Sequence, residues 1–546
     1  MTRTECVDYR ELPGQNALFL DFLYRFDRVK TFYGPPVHTG IDVLTERAEV
    51  LLKSPPRFSR DRMAAILAEF NTGIGASERS IENAARLRSP QCLAIVTGQQ
   101  PGFLGGAALS VYKAMTAVRL AGLLEAAGYS VVPIFWLASD DSDFQEVQST
   151  TFFQPAGSPL TVSYPDLRSD PAQMIGTVGL EQVGESLGAI EETGIKGDSF
   201  RLVLEALRDC YAPGRTFREA MGAWLSRIFS SHGLVVFDPL SEQYKEGLGE
   251  FFSVAVDQRE RIVQSLQERA RDLASGGFEA QVRVESSESF LFWTEGEKRF
   301  KLEREGGRVR AKGSPPSLPN GIGAGAEFLE HFVHLSPNVL LRPILQDWLF
   351  PTVAYVGGPS EVAYFAQVNA ISSFWDQTSA IFPRVGITMV DRRAQRLLEK
   401  HGLGVLDILR GGFEEVYERV LRENDPAGVL GRLEEIQGRV KSGLASLKAD
   451  MEQVDPTIVD MVKGAEGKIL YQLDKIQNRF VSNRKRDEVT LTGQLDYLSS
   501  RLYPDGTLQE RVINFGQFMS EEGVGLVDAL VAGLDPFCPG HQLVYV

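Results

Sequence analysis

Three short stretches of this 546-residue chain hold residue types that could do chemistry. The first is Thr97-Gly98-Gln99-Gln100-Pro101-Gly102-Phe103-Leu104-Gly105-Gly106. Glycine lets the backbone approach a ligand closely, and a helix starting just beyond would offer unpaired N–H groups and a partial positive charge. Together these suit an anion or a phosphate. The run matches neither the Walker nor the dinucleotide fingerprint, and a tight connection would use the same glycines. Lys113, about two turns into the expected helix, could reach back toward an anion or lie in solvent. Gln99 and Gln100 add neutral donors and acceptors suited to sugar hydroxyls.

The second stretch is Ser139-Asp140-Asp141-Ser142-Asp143. Three acids so close repel one another unless they meet a cation, whether Mg²⁺, a substrate ammonium or a basic side chain. Asp and Ser are equally at home as helix N-caps. The third is Gly357-Gly358-Pro359-Ser360-Glu361, with Tyr364 on the same face and Arg342 upstream. Pro and Glu suit a first helical turn, and an arginine is a natural partner for carboxylate or phosphate. No HExxH or GxSxG pattern is present. Cys6, Cys92, Cys210 and Cys538 lie far apart without a CxxC, so free thiols in a reducing compartment are expected, and no metal site.

These stretches must be positioned by the elements around them. Leu93-Ala94-Ile95-Val96-Thr97 and Val131 to Ala138 are apolar runs of strand length, and Ala107 to Ala127 between them reads as a helix ended by Gly128. Strand, helix, strand over such a length is a βαβ unit with parallel strands. The alternation recurs through a helix at 216–231, a strand at Leu234–Phe237, a strand at Thr352–Val356 leading into a helix near Glu361, and a last strand at Ile387–Val390. The expected class is therefore α/β, a doubly wound Rossmann-like core. Each stretch that could do chemistry follows a strand, and in such sheets ligands bind outside the carboxyl ends of strands.

Residues 151–200 look like an insertion, and 278–312 alternate apolar and polar residues (Val282, Val284, Phe290, Phe292, Phe300, Leu302) as in an antiparallel meander. Its turns would be Glu295-Gly296-Glu297 and Glu305-Gly306-Gly307. From 413 to about 485, apolar residues recur at spacings of three and four (Leu433, Ile436, Val440, Leu444, then Val462, Ile469, Leu473), interrupted at Pro456. That predicts two long helices in a hairpin, either packed on their own core or serving as an arm that dimerises.

Hydrophobic residues make up 43% and charged residues 24%, an ordinary globular balance. The net charge of −15 argues against a nucleic-acid binder, whose affinity comes from phosphate contacts, and against a general membrane-surface role. No apolar signal core opens the chain and no run is long enough to span a bilayer, so a soluble cytoplasmic protein is expected.

Taken in order, Thr97 to Gly106, Tyr112-Lys113-Ala114, Pro133-Ile134-Phe135-Trp136, Asp141 to Phe144 with Glu146, Arg342-Pro343, Gln346-Asp347, Gly358-Pro359, Glu361, Tyr364, Pro383-Arg384 and Leu508-Gln509-Glu510-Arg511 with Asn514 resemble the bacillithiol biosynthesis cysteine-adding enzyme family, BshC. The resemblance covers nearly the whole chain. It implies a Rossmann-like core over 1–390 with two connecting-peptide insertions, at about 151–215 and 276–335. It further implies a helical coiled-coil dimerisation domain over 391–485, and a C-terminal segment, 486–546, packing on the core. The implied activity is a ligase joining L-cysteine to glucosaminyl-malate by an amide bond in a homodimer. A nucleotide, ATP or ADP, is implied outside the usual crevice, and Mg²⁺ has no separate support. Where the family carries a Glu-Asp-His-Asp run, this chain has Asp140-Asp141-Ser142-Asp143.

On this reading Asp141 and Asp143 anchor or deprotonate an amine. Thr97, Gly98, Gln99, Gln100, Gly102, Phe103, Gly105, Gly106, Trp136, Asp140, Arg342, Gly358, Glu361 and Tyr364 surround the substrates, with the glycine loop holding an anion and Arg342 the malate carboxylates. Two other readings stay open: a non-catalytic nucleotide- or sugar-binding scaffold assisting a partner ligase, and an adenylate-forming enzyme for another small acid.

Overall fold

A computed structural model describes residues 3–546 except 156, 194, 306, 314, 316, 319–321, 324, 424–427 and 488. It divides into one unit of residues up to Met389 together with Gln509–Val546, and a second unit, Val390–Leu508. The helical unit therefore runs on past 485, and the expected C-terminal segment is divided at 508.

The core of the first unit is a five-stranded parallel sheet. Its strands are β1 (Cys92–Gln99), β2 (Ser130–Leu137), β3 (Val235–Phe237), β4 (Thr352–Gly357) and β5 (Ile381–Pro383). In space they run β5-β4-β1-β2-β3, all neighbours parallel. This is the Rossmann order, with the switch point between β1 and β4. Thr97 pairs with both Phe135 and Val356, so the carboxyl ends of three strands lie level. Leu93 to Val96 and Val131 to Leu137 are buried throughout. A sheet covered on both faces needs such continuous apolar strands.

Helix α1 (Leu109–Ala126) crosses from β1 to β2, largely buried, and stops where Gly128 takes a positive φ. Helix α2 (Arg342–Leu349) precedes β4, and α3 (Pro359–Ile371) follows it. The expected last core strand, Ile387–Val390, belongs elsewhere: it joins Arg3–Val7 and His541–Tyr545 in a separate three-stranded sheet. The fifth core strand is instead Ile381–Pro383, too short to announce itself in the sequence.

Residues 149–153 and 159–163 form an antiparallel hairpin followed by helices Val183–Glu191 and Asp198–Cys210. The expected meander is part of a five-stranded sheet whose longest strands are Glu288–Glu295 and Lys298–Glu305. Val282 and Val284 precede it; the Val282 backbone exchanges two hydrogen bonds with the Gln367 side chain instead. The chain turns as expected between Glu295 and Lys298, with Gly296 at positive φ, whereas the turn placed at Gly306 falls outside the described residues.

Arg3–Val7 runs antiparallel to His541–Tyr545, which brings Cys6 opposite Gln542 and within bonding reach of Cys538. These two form a disulfide, contrary to the expectation of four free thiols; only Cys92 and Cys210 are free, and both are buried. A separation of 532 residues hides such a pair from any spacing rule.

In the second unit, α4 (Val429–Val454) and α5 (Val459–Asp487) pack as a hairpin around the turn at Pro456–Ile458. Gln437 donates to Asp474 across it at 2.9 Å. Leu433 and Val462 are buried, but Ile436, Leu447, Ile469 and Ile476 remain more than 40% exposed. Among the described residues no helix is long and apolar enough to cross a membrane.

Candidate active site

A cavity of about 720 Å³ opens outside the carboxyl ends of β1, β2 and β4. Gly98, Gln99, Gln100, Trp136, Asp140 and Asp141 line it, as do Arg342, Gly358, Glu361 and Tyr364. The three stretches singled out in the sequence thus meet in one place.

Not every expected residue is there. Thr97 is buried, and its hydroxyl donates to the Val356 carbonyl at 2.9 Å, tying β1 to β4. The segment from Gly102 to Gly106 turns into the core. Phe103 is fully buried against Tyr164 and Phe217. Gly105 has φ +95°, and a Cβ there would come 2.7 Å from the Trp224 indole nitrogen. Its N–H donates to the Tyr211 hydroxyl, which donates to the Gly102 carbonyl. The N–H groups of Phe103 and Gly106 go to Val147 and Phe103 carbonyls, and Asn514 donates to the carbonyls of Leu104 and Gly106. Gly102, Phe103, Gly105 and Gly106 do not line the cavity, and with the Phe103, Gly105 and Gly106 donors committed they do not form the anticipated anion cradle; the glycines serve a close-packed connection.

Gly98 does belong to the site. A Cβ on it would stand 2.7 Å from the Trp136 carbonyl, so only glycine lets β1 lie this close to β2 at the crevice floor. Beside it, Lys113 is neither solvated nor free. Its ammonium donates to the Gly98 carbonyl at 2.8 Å and to Gln99 Oε1 at 2.9 Å, and pairs with Glu361 at 2.5 Å. Glu361 also accepts from the Tyr355 hydroxyl at 2.5 Å and from the Gly358 N–H at 2.6 Å. Burial alone would raise the Glu361 carboxyl, but the Lys113 ammonium and these hydrogen bonds hold it below the usual range.

The acids after β2 have separate fates. Asp140 pairs with Arg299 at 3.3 Å. Asp141 turns one oxygen to the N–H groups of Ser142 and Asp143, an Asx turn, and the other toward Gln100. Gln100 Nε2 donates at 2.8 Å both to Asp141 and to Glu146, so one amide holds two carboxylates in the crevice. Asp143 is exposed and does not line the cavity; it precedes the short helical turn Phe144–Glu146. Glu146 thus stands where Asp143 was expected, because that turn carries residue 146 back toward Gln100.

Arg342, the first residue of α2, lies over the rings of Tyr355 and Trp136, with centroid distances of 4.7 and 5.7 Å. Its guanidinium is 3.4 Å from the Tyr364 hydroxyl and 3.3 Å from Gln346 Oε1. The cavity also takes in Arg299 and Lys301 from the antiparallel sheet, Arg384 after β5, and Arg511. The Asp cluster and the glycine stretches could be found from local spacing. These basic residues come from distant segments, and only the quoted Pro383-Arg384 and Glu510-Arg511 dipeptides signalled any of them. Among the described residues no three of His, Cys, Asp and Glu gather to hold a metal ion.

Such a site can hold an ammonium against Asp141 and Glu146 and an anion against Arg342 in one cavity. Comparison with known proteins shows the family. The family model for the N-terminal Rossmann-like domain of bacillithiol biosynthesis BshC matches residues 2–385, and that for its C-terminal coiled-coil domain matches 387–546. A relative from Koribacter versatilis, named "Putative cysteine ligase BshC", is 31% identical over 547 residues, covering 99% of both chains. Relatives of the same name from Solibacter usitatus and Salinibacter ruber are 28% and 29% identical, covering 99% and 97% of this chain and 99% and 96% of their own.

Proposed function

The chain belongs to the bacillithiol biosynthesis BshC family, and from that premise we propose that it is the ligase joining the carboxyl of L-cysteine to the amino group of glucosaminyl-malate. The observation that carries this reading is the crevice at the switch point, where the Gln100-linked carboxylates and Arg342 face one cavity. Glucosaminyl-malate brings an amine and two carboxylates, and this lining complements it.

A free carboxylate is a poor electrophile, so amide formation needs an activated acyl group. ATP would supply that activation as co-substrate. Asp141 accepts hydrogen bonds from the glucosamine ammonium and then takes its proton, which frees the lone pair for attack. Lys113 holds the Gln99 amide oxygen, and Gln100 is the amide that orients the acid. Arg342 holds a malate carboxylate by charge-assisted hydrogen bonds, while its aromatic neighbours limit its freedom. The proposed setting is cytoplasmic. The proposed assembly is a homodimer in which the exposed stripe Ile436, Leu447, Ile469 and Ile476 is covered by the partner's helices.

The test is to incubate the pure protein with cysteine, glucosaminyl-malate and ATP, following the thiol product and nucleotide consumption separately. Product with matching ATP loss supports the ligase. Binding of glucosaminyl-malate without turnover, restored by cell extract, would mean a scaffold. Nucleotide consumption with another small acid alone would mean a different adenylate former.

A further inference from the structure

The basic side chains of the crevice are mostly spoken for. Lys113 faces Glu361, Arg299 faces Asp140 at 3.3 Å, Lys301 faces Glu288 at 2.8 Å, and Arg384 faces Glu510 at 2.5 Å. Arg283 is exposed, with Glu285 3.9 Å away. Among the described residues, only Arg342 and Arg511 line the cavity without a carboxylate within 4 Å. A guanidinium that lines a cavity and lacks an internal counter-ion is available to an anionic ligand.

Arg511 is also held in place by its neighbours. It ends the short turn Gln509–Arg511, and the two residues before it are buried. Gln509 exchanges hydrogen bonds with the Met389 backbone at 2.8 and 3.1 Å. Glu510 binds Arg384 with both oxygens and accepts from the Ile387 N–H at 2.9 Å. Ile513 and Asn514 beyond it are fully buried. The turn that carries Arg511 is thus fixed, so binding an anion has to order its side chain but not its backbone.

We propose that Arg511 is a specificity-determining residue that, with Arg342, selects a dicarboxylate substrate over a monocarboxylate, each guanidinium taking one carboxylate. The proposal rests on the reading of the crevice as the glucosaminyl-malate site, and it adds which side chain reads the second acid group. A site built to pair two anions rejects an analogue that lacks one, because an arginine is then left without its partner.

The experiment compares wild type with Arg511→Gln and Arg511→Lys, giving each protein glucosaminyl-malate and the glucosaminyl-lactate analogue, which lacks one carboxylate. Direct binding of L-malate and L-lactate is measured in parallel by calorimetry. Expected for R511Q is a KM for glucosaminyl-malate raised about 10- to 100-fold, an unchanged KM for the lactate analogue, and partial recovery in R511K. Malate binding should weaken to the level of lactate. A change below threefold, an equal loss for both substrates, or a KM change for ATP alone would overturn the assignment. If wild type turns over neither sugar, the ligase reading fails. The malate and lactate affinities then still decide Arg511 by themselves.

Discussion

Lys113 and Glu361 form an ion pair under the crevice floor, and the lysine also holds the carbonyl at Gly98. One ammonium thereby joins the end of β1 to the start of α3, across the switch point. Removing one partner leaves an unpaired charge out of water, which costs about 3–5 kcal/mol. Lys113→Met and Glu361→Gln should each lower the stability read from urea unfolding by that amount, and the double variant by less than their sum. A double variant whose loss equals the sum would mean that the two groups are not coupled.

The two acids first put forward as a pair should behave differently. Asp141 shares Gln100 with Glu146 inside the crevice, whereas Asp143 lies outside. Asp141→Asn should reduce kcat/KM for amide formation by about 10²-fold or more while leaving the fold intact. Asp143→Asn should change it less than threefold. Equal losses at both positions would move the acid function away from the crevice.

Stability should rise with pH between about 4 and 6. Burial pushes His38 and His541 down to about 4, against an ordinary value of 6.5. In that window the unfolded chain binds two protons that the folded chain does not. Burial pushes Asp347 up to about 6, only partly opposed by Arg47, so there the folded chain holds one proton that the unfolded chain has lost. Among these three groups the balance is one proton in favour of the unfolded state, a contribution of about 1.4 kcal/mol per pH unit, from which Asp238, also pushed up by burial, subtracts. Above about 6.5 these groups contribute no further slope. Urea midpoints taken at half-unit steps of pH would show this, and a flat or falling curve between 4 and 6 would contradict the burial of the two histidines.

The Cys6–Cys538 bond ties the strand at Arg3–Val7 to the loop before His541. Thiol titration of the denatured, unreduced protein should find two thiols, Cys92 and Cys210, and four after reduction. Reduction should also lower the melting temperature, since a cross-link contributes typically about 2–4 kcal/mol. Four thiols before reduction would show the pair open in solution.

Much of the core was legible from residue order. Strands covered on both faces must be apolar throughout, so Leu93–Val96 and Val131–Leu137 stood out without any partner in view. The helical hairpin was equally plain, because a stripe at spacings of three and four survives an open seam. Ile381–Pro383 did not stand out, since three residues carry no period. Ile387–Val390 had the right composition for a core strand, and composition does not say which sheet a strand joins.

The candidate site divides the same way. By itself, the sequence determined where the backbone could turn tightly and where acids clustered, because those properties depend on residue type and near neighbours. Only the tertiary structure decided that Gly105 makes room for Trp224 rather than a ligand, that Glu146 and not Asp143 shares Gln100, and that Lys113 is consumed by Glu361 while Arg511 is left open. Pairing depends on distances of a few ångströms between segments hundreds of residues apart, and a charge is available to a substrate only if no such neighbour has already met it.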